Sequence, residues 1–259
     1  MPLGLDLSGS KAKIARANEH FGALKSEVEA VINQRKPYTS RIDYDQQSKC
    51  YSLIMLSGDF NEPRLGIIVG DLIHNLRSAL DYIISALVEV SHSTLMAGNQ
   101  FPIFDNDGDY AKRSPRMLAG VKHGLSEIEA VQPFKQGAPQ HDPLFLINYF
   151  SNADKHRVIS GYYPLMGPIK GGFSPANFVK DEQIIPPQEW RPNQEFTIYR
   201  VWYADPIPTN PYFQGEISVK IHFTAEEFGK HLKGFAPEFD FFKAASDHAA
   251  MIVNTFEAL

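Results

Sequence analysis

The chain has 259 residues, of which 43% are hydrophobic and 21% are charged, proportions typical of a folded globular protein and not of a disordered one. Its formal net charge of −5 gives no general attraction to nucleic acids or anionic membranes. A single cysteine, Cys50, excludes an intramolecular disulfide and favours a reducing compartment. Neither a signal peptide nor a membrane span is evident, so we expect a soluble, cytoplasmic protein that does not bind a membrane.

The first 60 residues contain one helical and one strand-like pattern. Apolar side chains recur every three or four positions over residues 9–35 and stop before Pro37, which predicts a helix. The period then changes to two, and the apolar runs on either side of residues 45–49 predict a β-hairpin over residues 38–57.

The helical period returns from Leu65 to Ser91, with apolar residues on one arc and polar residues on the opposite arc. Residues 92–108 are typical of a connecting loop, and within them Phe101-Pro-Ile-Phe104 forms an apolar plug. Two shorter helices are predicted at about residues 109–119 and 125–132.

Asp142-Pro143 has the residues of a helix start, and the two turns that follow are apolar on every side, which predicts a buried helix. Residues 160–223 are richer in glycine, proline and strand-forming residues, and they predict a small antiparallel sheet. Two further helices are expected, one opened by a capping-box pattern at Thr224 and one from about Pro237 to Leu259, burying Phe241, Ala244, Ala245, Met251, Ile252 and Phe256. We therefore expect a single domain over residues 1–259, with a helical core at about 9–35, 64–159 and 224–259.

Two of these predicted helices carry most of the chemically suggestive side chains. The residues are His74, Asn75, Arg77 and Asp81 in the first helix, and Asn152, Asp154, Lys155, His156 and Arg157 at the end of the second. If the two helices pack side by side, these groups form one polar cluster. The cluster is then either a hydrogen-bonded network that stabilises the fold or a reaction site in which His74 or His156 acts as a general acid or base. The residues alone leave both interpretations open.

A metal site is a competing interpretation, because His74, Asp71, Asp81 and His156 offer nitrogen and oxygen ligands. No His-x-x-x-His or Cys-x-x-Cys pair is present, however, and neither a phosphate-binding P-loop nor a Gly-x-Ser-x-Gly elbow occurs. We therefore predict no metal and no cofactor.

Several short motifs occur in a fixed order, namely residues 14–20, Gly70-Asp-Leu-Ile-His-Asn-Leu-Arg-Ser-Ala-Leu-Asp81, Phe101-Pro-Ile-Phe104, Gln132-Pro-Phe134 and Asn152-Ala-Asp-Lys-His-Arg157. This set resembles a group of uncharacterised bacterial proteins, frequent in actinobacteria and soil genera, over residues 10–160. More distantly, the two polar helices are similar to those of HEPN-type helical bundles. Many HEPN proteins are dimeric, metal-independent ribonucleases of toxin–antitoxin, CRISPR-associated and phage-defence systems, with an Arg-x(4–6)-His motif.

The HEPN resemblance implies that Asn152 and His156 occupy the places of the motif's polar residue and histidine, whereas Ser151 stands where its arginine would be. The fold that we expect is α+β: a mainly helical, HEPN-like bundle with an N-terminal β-hairpin and a small inserted antiparallel sheet. Because the motif arginine is absent and the net charge is acidic, we expect a non-catalytic module that dimerises or binds a partner.

The alternative function is a HEPN-like ribonuclease, which implies RNA as the partner and a homodimer as the assembly. In that case His156 and His74 are the candidates for the general acid and base. The other members of the catalytic cluster are Arg77, Asp81 and Asn152. The residues expected to bind the substrate or its phosphate are Arg157, Lys155 and Asn75. A second alternative is a small-molecule enzyme that uses the His74/His156 cleft.

Overall fold

A computed structural model of the protein describes residues 3–35, 38–58, 63–156, 162–184, 193–223 and 239–259, and only the backbone of residues 34–35, 155–156, 162–168 and 216–223. The chain is a mixed α and β protein, which confirms the predicted α+β class. It divides into two compact units, each formed by segments distant in sequence. The helical unit comprises Met1–Ser26, Pro63–Ser160 and Thr224–Leu259, and the β-rich unit comprises Glu27–Glu62 and Gly161–Phe223.

The described helices follow the predicted ones to within a few residues. They are α1 (Ser8–Ala30, continued by a π-helical turn at Val31–Arg35), α2 (Pro63–Val90), α3 (Asp107–Met117), α4 (Leu125–Ala130), α5 (Pro143–His156) and α6 (Phe239–Glu257). Short 3-10 turns lie at Pro133–Lys135 and Pro139–His141. The helix predicted to begin at Thr224 lies outside the described residues. No helix within the described ranges is long and apolar enough to cross a lipid bilayer.

The core of the helical unit forms around α2, which packs against both α5 and α6. This confirms that the two helices carrying the polar residues lie side by side. The polar arc predicted for α2 is not wholly exposed, because Asn75 and Arg77 are buried, with 8% and 5% of their surface accessible. Lys13 of α1 donates a hydrogen bond to Asn75, and Arg77 donates one to the loop after α2, so α1 and this loop enclose the helix in addition to α5 and α6.

Helix α6 buries Ala245, Ile252 and Phe256 as predicted, but the other three residues predicted to be buried are not. Phe242 is fully buried and packs on Phe150 of α5, with ring centroids 6.0 Å apart, whereas Phe241 is half-buried and Ala244 is exposed. Met251, also predicted to be buried, is 51% exposed. Because Phe241 and Phe242 are consecutive, the sequence did not show which of them lies on the buried face. Packing against α5 buries Phe242.

The β-rich unit contains two sheets. Its strands are β1 (Tyr38–Asp45), β2 (Cys50–Ser57), β3 (Tyr162–Ser174), β4 (Phe178–Gln183), β5 (Glu195–Tyr203) and β6 (Tyr212–Phe223). The first sheet has the antiparallel order β1-β2-β5-β4, and β3 pairs with β6 in the second. The predicted hairpin is therefore continued by a strand more than 130 residues later, and β4 is a strand that the sequence pattern did not predict. Cys50 is buried in β2, as expected for a small core residue.

Candidate functional site

Arg77 is the most enclosed of the predicted site residues in the helical unit. Its Nη2 donates a hydrogen bond to the carbonyl oxygen of Phe101 at 2.7 Å and lies 3.0 Å from Oδ1 of Asp81, one turn further along α2. The same Asp81 oxygen accepts the backbone N–H of Phe101 at 2.9 Å. The two α2 side chains therefore satisfy both backbone polar groups of Phe101. Leaving either group unpaired in the interior costs about 1–3 kcal/mol.

The guanidinium of Arg77 offers little to a ligand in this arrangement. Its Nη1 is buried and has no hydrogen-bond partner within the part of the chain that the structure describes. Burial lowers the pKa of Arg77, and the nearby Asp81 carboxylate opposes that change. Because the ordinary pKa of arginine lies far above neutrality, the group keeps its charge, and its partners are backbone and side chains of the fold.

Gln132 holds the other end of the same loop segment. Its side chain is fully buried, and its Oε1 accepts the backbone N–H of Phe104 at 3.1 Å. Its Nε2 donates to the carbonyl oxygens of Pro102 at 2.8 Å and Ile128 at 3.0 Å. Residues 101–104, which we call the plug segment, are all buried and are thus hydrogen-bonded at both ends. Gln132 belongs to one of the sequence motifs, but the sequence did not predict a role for it.

Asn75, a predicted phosphate ligand, is engaged inside the helical bundle. Its Nδ2 donates to the carbonyl oxygen of Asp71 at 2.8 Å, within α2. Its Oδ1 accepts a hydrogen bond from Nζ of Lys13 on α1 at 3.3 Å. Both ends of the amide are therefore bonded to the fold, and the residue joins α1 to α2.

His74 lies on a different side of α2 and is exposed. Its electrostatic neighbour is Asp154 of α5, whose carboxylate lies against Gly70 so closely that a Cβ there would be 2.6 Å from Oδ1. Burial and the nearby Asp71 carboxylate raise the pKa of Asp154, and His74 lowers it. The His74 imidazole and the Asp71 carboxylate of α2 thus both act electrostatically on the Asp154 carboxylate of α5.

The end of α5 is described only in part. Asn152 is exposed, whereas the preceding Ser151 is buried with 4% of its surface accessible. The backbone of Lys155 and His156 completes α5, but the side chains of both lie outside the described residues, as does all of Arg157. The predicted roles of these three residues therefore stay predictions.

Sequence reasoning missed a buried ionisable pair at the opposite end of α5. Asp142 is 7% exposed, and its Oδ1 accepts the backbone N–H of Leu144 at 2.8 Å, as expected for a helix cap. It interacts electrostatically with His248 of α6, whose Nε2 is buried with no partner in the described ranges. Burial raises the pKa of Asp142 and lowers that of His248, and the mutual attraction opposes both changes. Since Ala245 and Ala249 are core positions, His248 shares their inward arc, which is the signal that could have identified it.

The described residues contain no group of three or more His, Cys, Asp or Glu side chains that could hold a metal ion. The proposed combination of His74, Asp71 and Asp81 is therefore not assembled, and its fourth member, His156, lies outside the described side chains. Comparison with known proteins finds no matching protein family, no matching curated protein and no matching solved structure.

Proposed function

We propose that this chain is a HEPN-like helical protein that acts as a non-catalytic module, binding a protein partner or a second copy of itself. The observation that carries the proposal is the enclosure of Arg77. An arginine that holds an RNA phosphate must present its donors to solvent, but this one is 5% exposed and is bonded to the plug segment and Asp81.

Moving Arg77 toward a phosphate would leave the Phe101 carbonyl oxygen without its donor and would separate Arg77 from the Asp81 carboxylate. Because the Asp81 side chain keeps about a third of its surface exposed, losing these contacts costs about 2–3 kcal/mol, which offsets the stabilisation expected from one new phosphate contact. This cost supports a structural role for Arg77 and Asp81.

The position of the HEPN arginine gives independent support. Ser151 occupies it, and this side chain is both uncharged and buried. A serine at that place supplies no positive charge to stabilise a phosphorane-like transition state, and its burial keeps it from an RNA backbone.

The test is a ribonuclease assay on the full chain, run together with urea unfolding of Arg77→Met and His156→Ala. We expect no RNA cleavage above the buffer control, a clear loss of stability in Arg77→Met, and sedimentation as a dimer or as a complex with a partner. RNA cleavage that disappears in His156→Ala while stability is unchanged would reject the non-catalytic proposal.

The ribonuclease remains the second candidate because of one arrangement in the structure. The exposed imidazole of His74 lies near the Asp154 carboxylate, on the same two helices that carry Arg77 and the backbone of His156. An imidazole that interacts electrostatically with a carboxylate is suited to proton transfer without a metal. The cleavage assay on His74→Ala decides whether this pair has such a role.

A further inference from the structure

The structure contains a cleft that none of the predicted roles uses. It has a volume of about 470 Å³, opens beside α5 and is lined by Asp105, Pro139, Gln140, Phe145 and Tyr149. The sequence predicted that Phe145 and Tyr149 would be buried like the rest of the first turns of α5, but both are only half-buried. Both side chains contribute to the wall of this cleft.

Two aromatic rings form the apolar part of the cleft wall. Phe145 and Tyr149 lie one helical turn apart, with ring planes 25° from parallel and centroids 6.5 Å apart. Tyr149 also contacts the edge of the Phe150 ring, with centroids 5.9 Å apart and planes at 86°, and Phe150 is fully buried in the core. A wall fixed in this way suits a planar or cationic group that stacks on an aromatic face.

Two polar side chains also line the cleft. Asp105 and Gln140 are both exposed, and the Asp105 carboxylate accepts one hydrogen bond, from Nδ2 of Asn106 at 3.0 Å. No lysine or arginine of the described segments forms an ion pair with Asp105. Arg113 lies over the ring of Phe104, the residue before Asp105, at 5.0 Å. The carboxylate is therefore available to a positive group that enters from outside.

We propose that this cleft binds a guanidinium group, the side chain of an arginine on a protein partner. The guanidinium stacks on Phe145 and Tyr149 and donates two hydrogen bonds to the carboxylate of Asp105, with Gln140 accepting a third. Arginine fits this set better than lysine because its planar fork both stacks and binds a carboxylate in a bidentate manner. The inference rests on the proposed function, because it names the chemistry by which the module recognises a partner.

A nucleotide is the less favoured occupant of the same cleft. A nucleobase could stack on the two rings, but its phosphate would lie near Asp105 and close in sequence to Asp107 and Asp109, on a chain with a net charge of −5. Repulsion between these carboxylates and a phosphate disfavours such a ligand.

The experiment titrates the full chain by calorimetry and NMR with a capped Gly-Arg-Gly peptide, using matched peptides that carry citrulline or lysine. Citrulline keeps the planar shape and removes the charge. We expect the arginine peptide to bind at least about tenfold more tightly than the citrulline peptide. Asp105→Asn should weaken the arginine peptide by a similar factor, and Phe145→Leu should weaken it while largely keeping the side-chain volume.

Asp107→Asn is the matched control, because it removes an exposed carboxylate two residues away that does not line the cleft. Its affinity for the arginine peptide should equal that of the unaltered chain. Equal binding of the arginine and citrulline peptides, an unchanged affinity in Asp105→Asn, or no binding up to about 10 mM peptide would overturn the proposal.

Guanosine 5′-monophosphate serves as the competing probe. Tighter, Asp105-dependent binding of this nucleotide would also overturn the arginine proposal and would assign the cleft to a nucleobase. None of these results bears on the non-catalytic function, which is decided separately by RNA cleavage and sedimentation. The failure of one proposal can thus be told from the failure of the other.

Discussion

His74 and Arg77 lie three residues apart on α2, but their surroundings differ completely. Arg77 is buried and holds the plug segment, whereas His74 is exposed and faces Asp154 of α5. Residues on different sides of an enclosed helix contact different neighbours. His74 and Arg77 therefore do not belong to one polar cluster, although they are close in sequence. The two sides of α2 should therefore respond differently to substitution, and the following predictions test that difference in order of decreasing effect.

The largest effect is expected for Arg77→Met, which keeps the apolar stem but removes the guanidinium. The Phe101 carbonyl oxygen loses its donor and the Asp81 carboxylate loses its charge partner. We expect the free energy of unfolding to fall by about 2–3 kcal/mol, measured by urea denaturation. The free energy of unfolding of Arg77→Lys should lie between those of the unaltered chain and Arg77→Met, because lysine keeps the positive charge but not the planar guanidinium group. A loss below about 0.5 kcal/mol in Arg77→Met would contradict the structural role of the cluster.

Gln132→Leu should have the next largest effect, because it leaves the Phe104 N–H and the Pro102 carbonyl oxygen without partners. We expect a loss of about 2 kcal/mol in the same unfolding experiment. If the plug segment acts as one unit, Arg77→Met and Gln132→Leu should be non-additive, with the double variant losing less than the sum. Strict additivity would show that the two ends of the segment are held independently.

The sequence was sufficient to predict some contacts of Arg77 and Asp81 and insufficient to predict others. Hydrophobic periodicity located α2, and the four-residue spacing of Arg77 and Asp81 made their pairing predictable. The bonds of these residues to Phe101 were not predictable, because no periodic relation connects a loop residue to helical residues that lie 20 and 24 positions earlier. The same limit applies to the β2–β5 pairing, since a strand pattern specifies which face is buried but not which distant strand it joins.

A smaller effect is expected from the half-buried His248 on lowering the pH. Burial lowers its pKa below the ordinary value of 6.5, so the unfolded chain binds the proton more readily than the folded one. This contribution to stability is present above pH 6.5 and is lost as the pH falls from there toward the lowered pKa, by at most about 1.4 kcal/mol per pH unit.

Unfolding measured at pH 7.5 and pH 5.5 checks this prediction, with His248→Gln as the variant. The unaltered chain should lose more stability between the two values than the variant does. The raised pKa of Asp142 does not produce the same loss, because a carboxyl whose folded pKa is raised gains stability as the pH falls. An equal loss in both proteins would show that His248 is not the group responsible.

The smallest change in stability is expected on the exposed side of α2. His74→Ala should alter the free energy of unfolding by less than about 0.5 kcal/mol, in contrast to Arg77→Met. Its measurable consequence is electrostatic, since His74 lowers the pKa of Asp154 whereas Asp71 raises it. Carboxyl-carbon NMR titration should therefore find the Asp154 pKa higher in His74→Ala and lower in Asp71→Asn. If neither variant moves it, the three side chains do not form a coupled group, and the arrangement that favours acid–base chemistry on this side of the helix is absent.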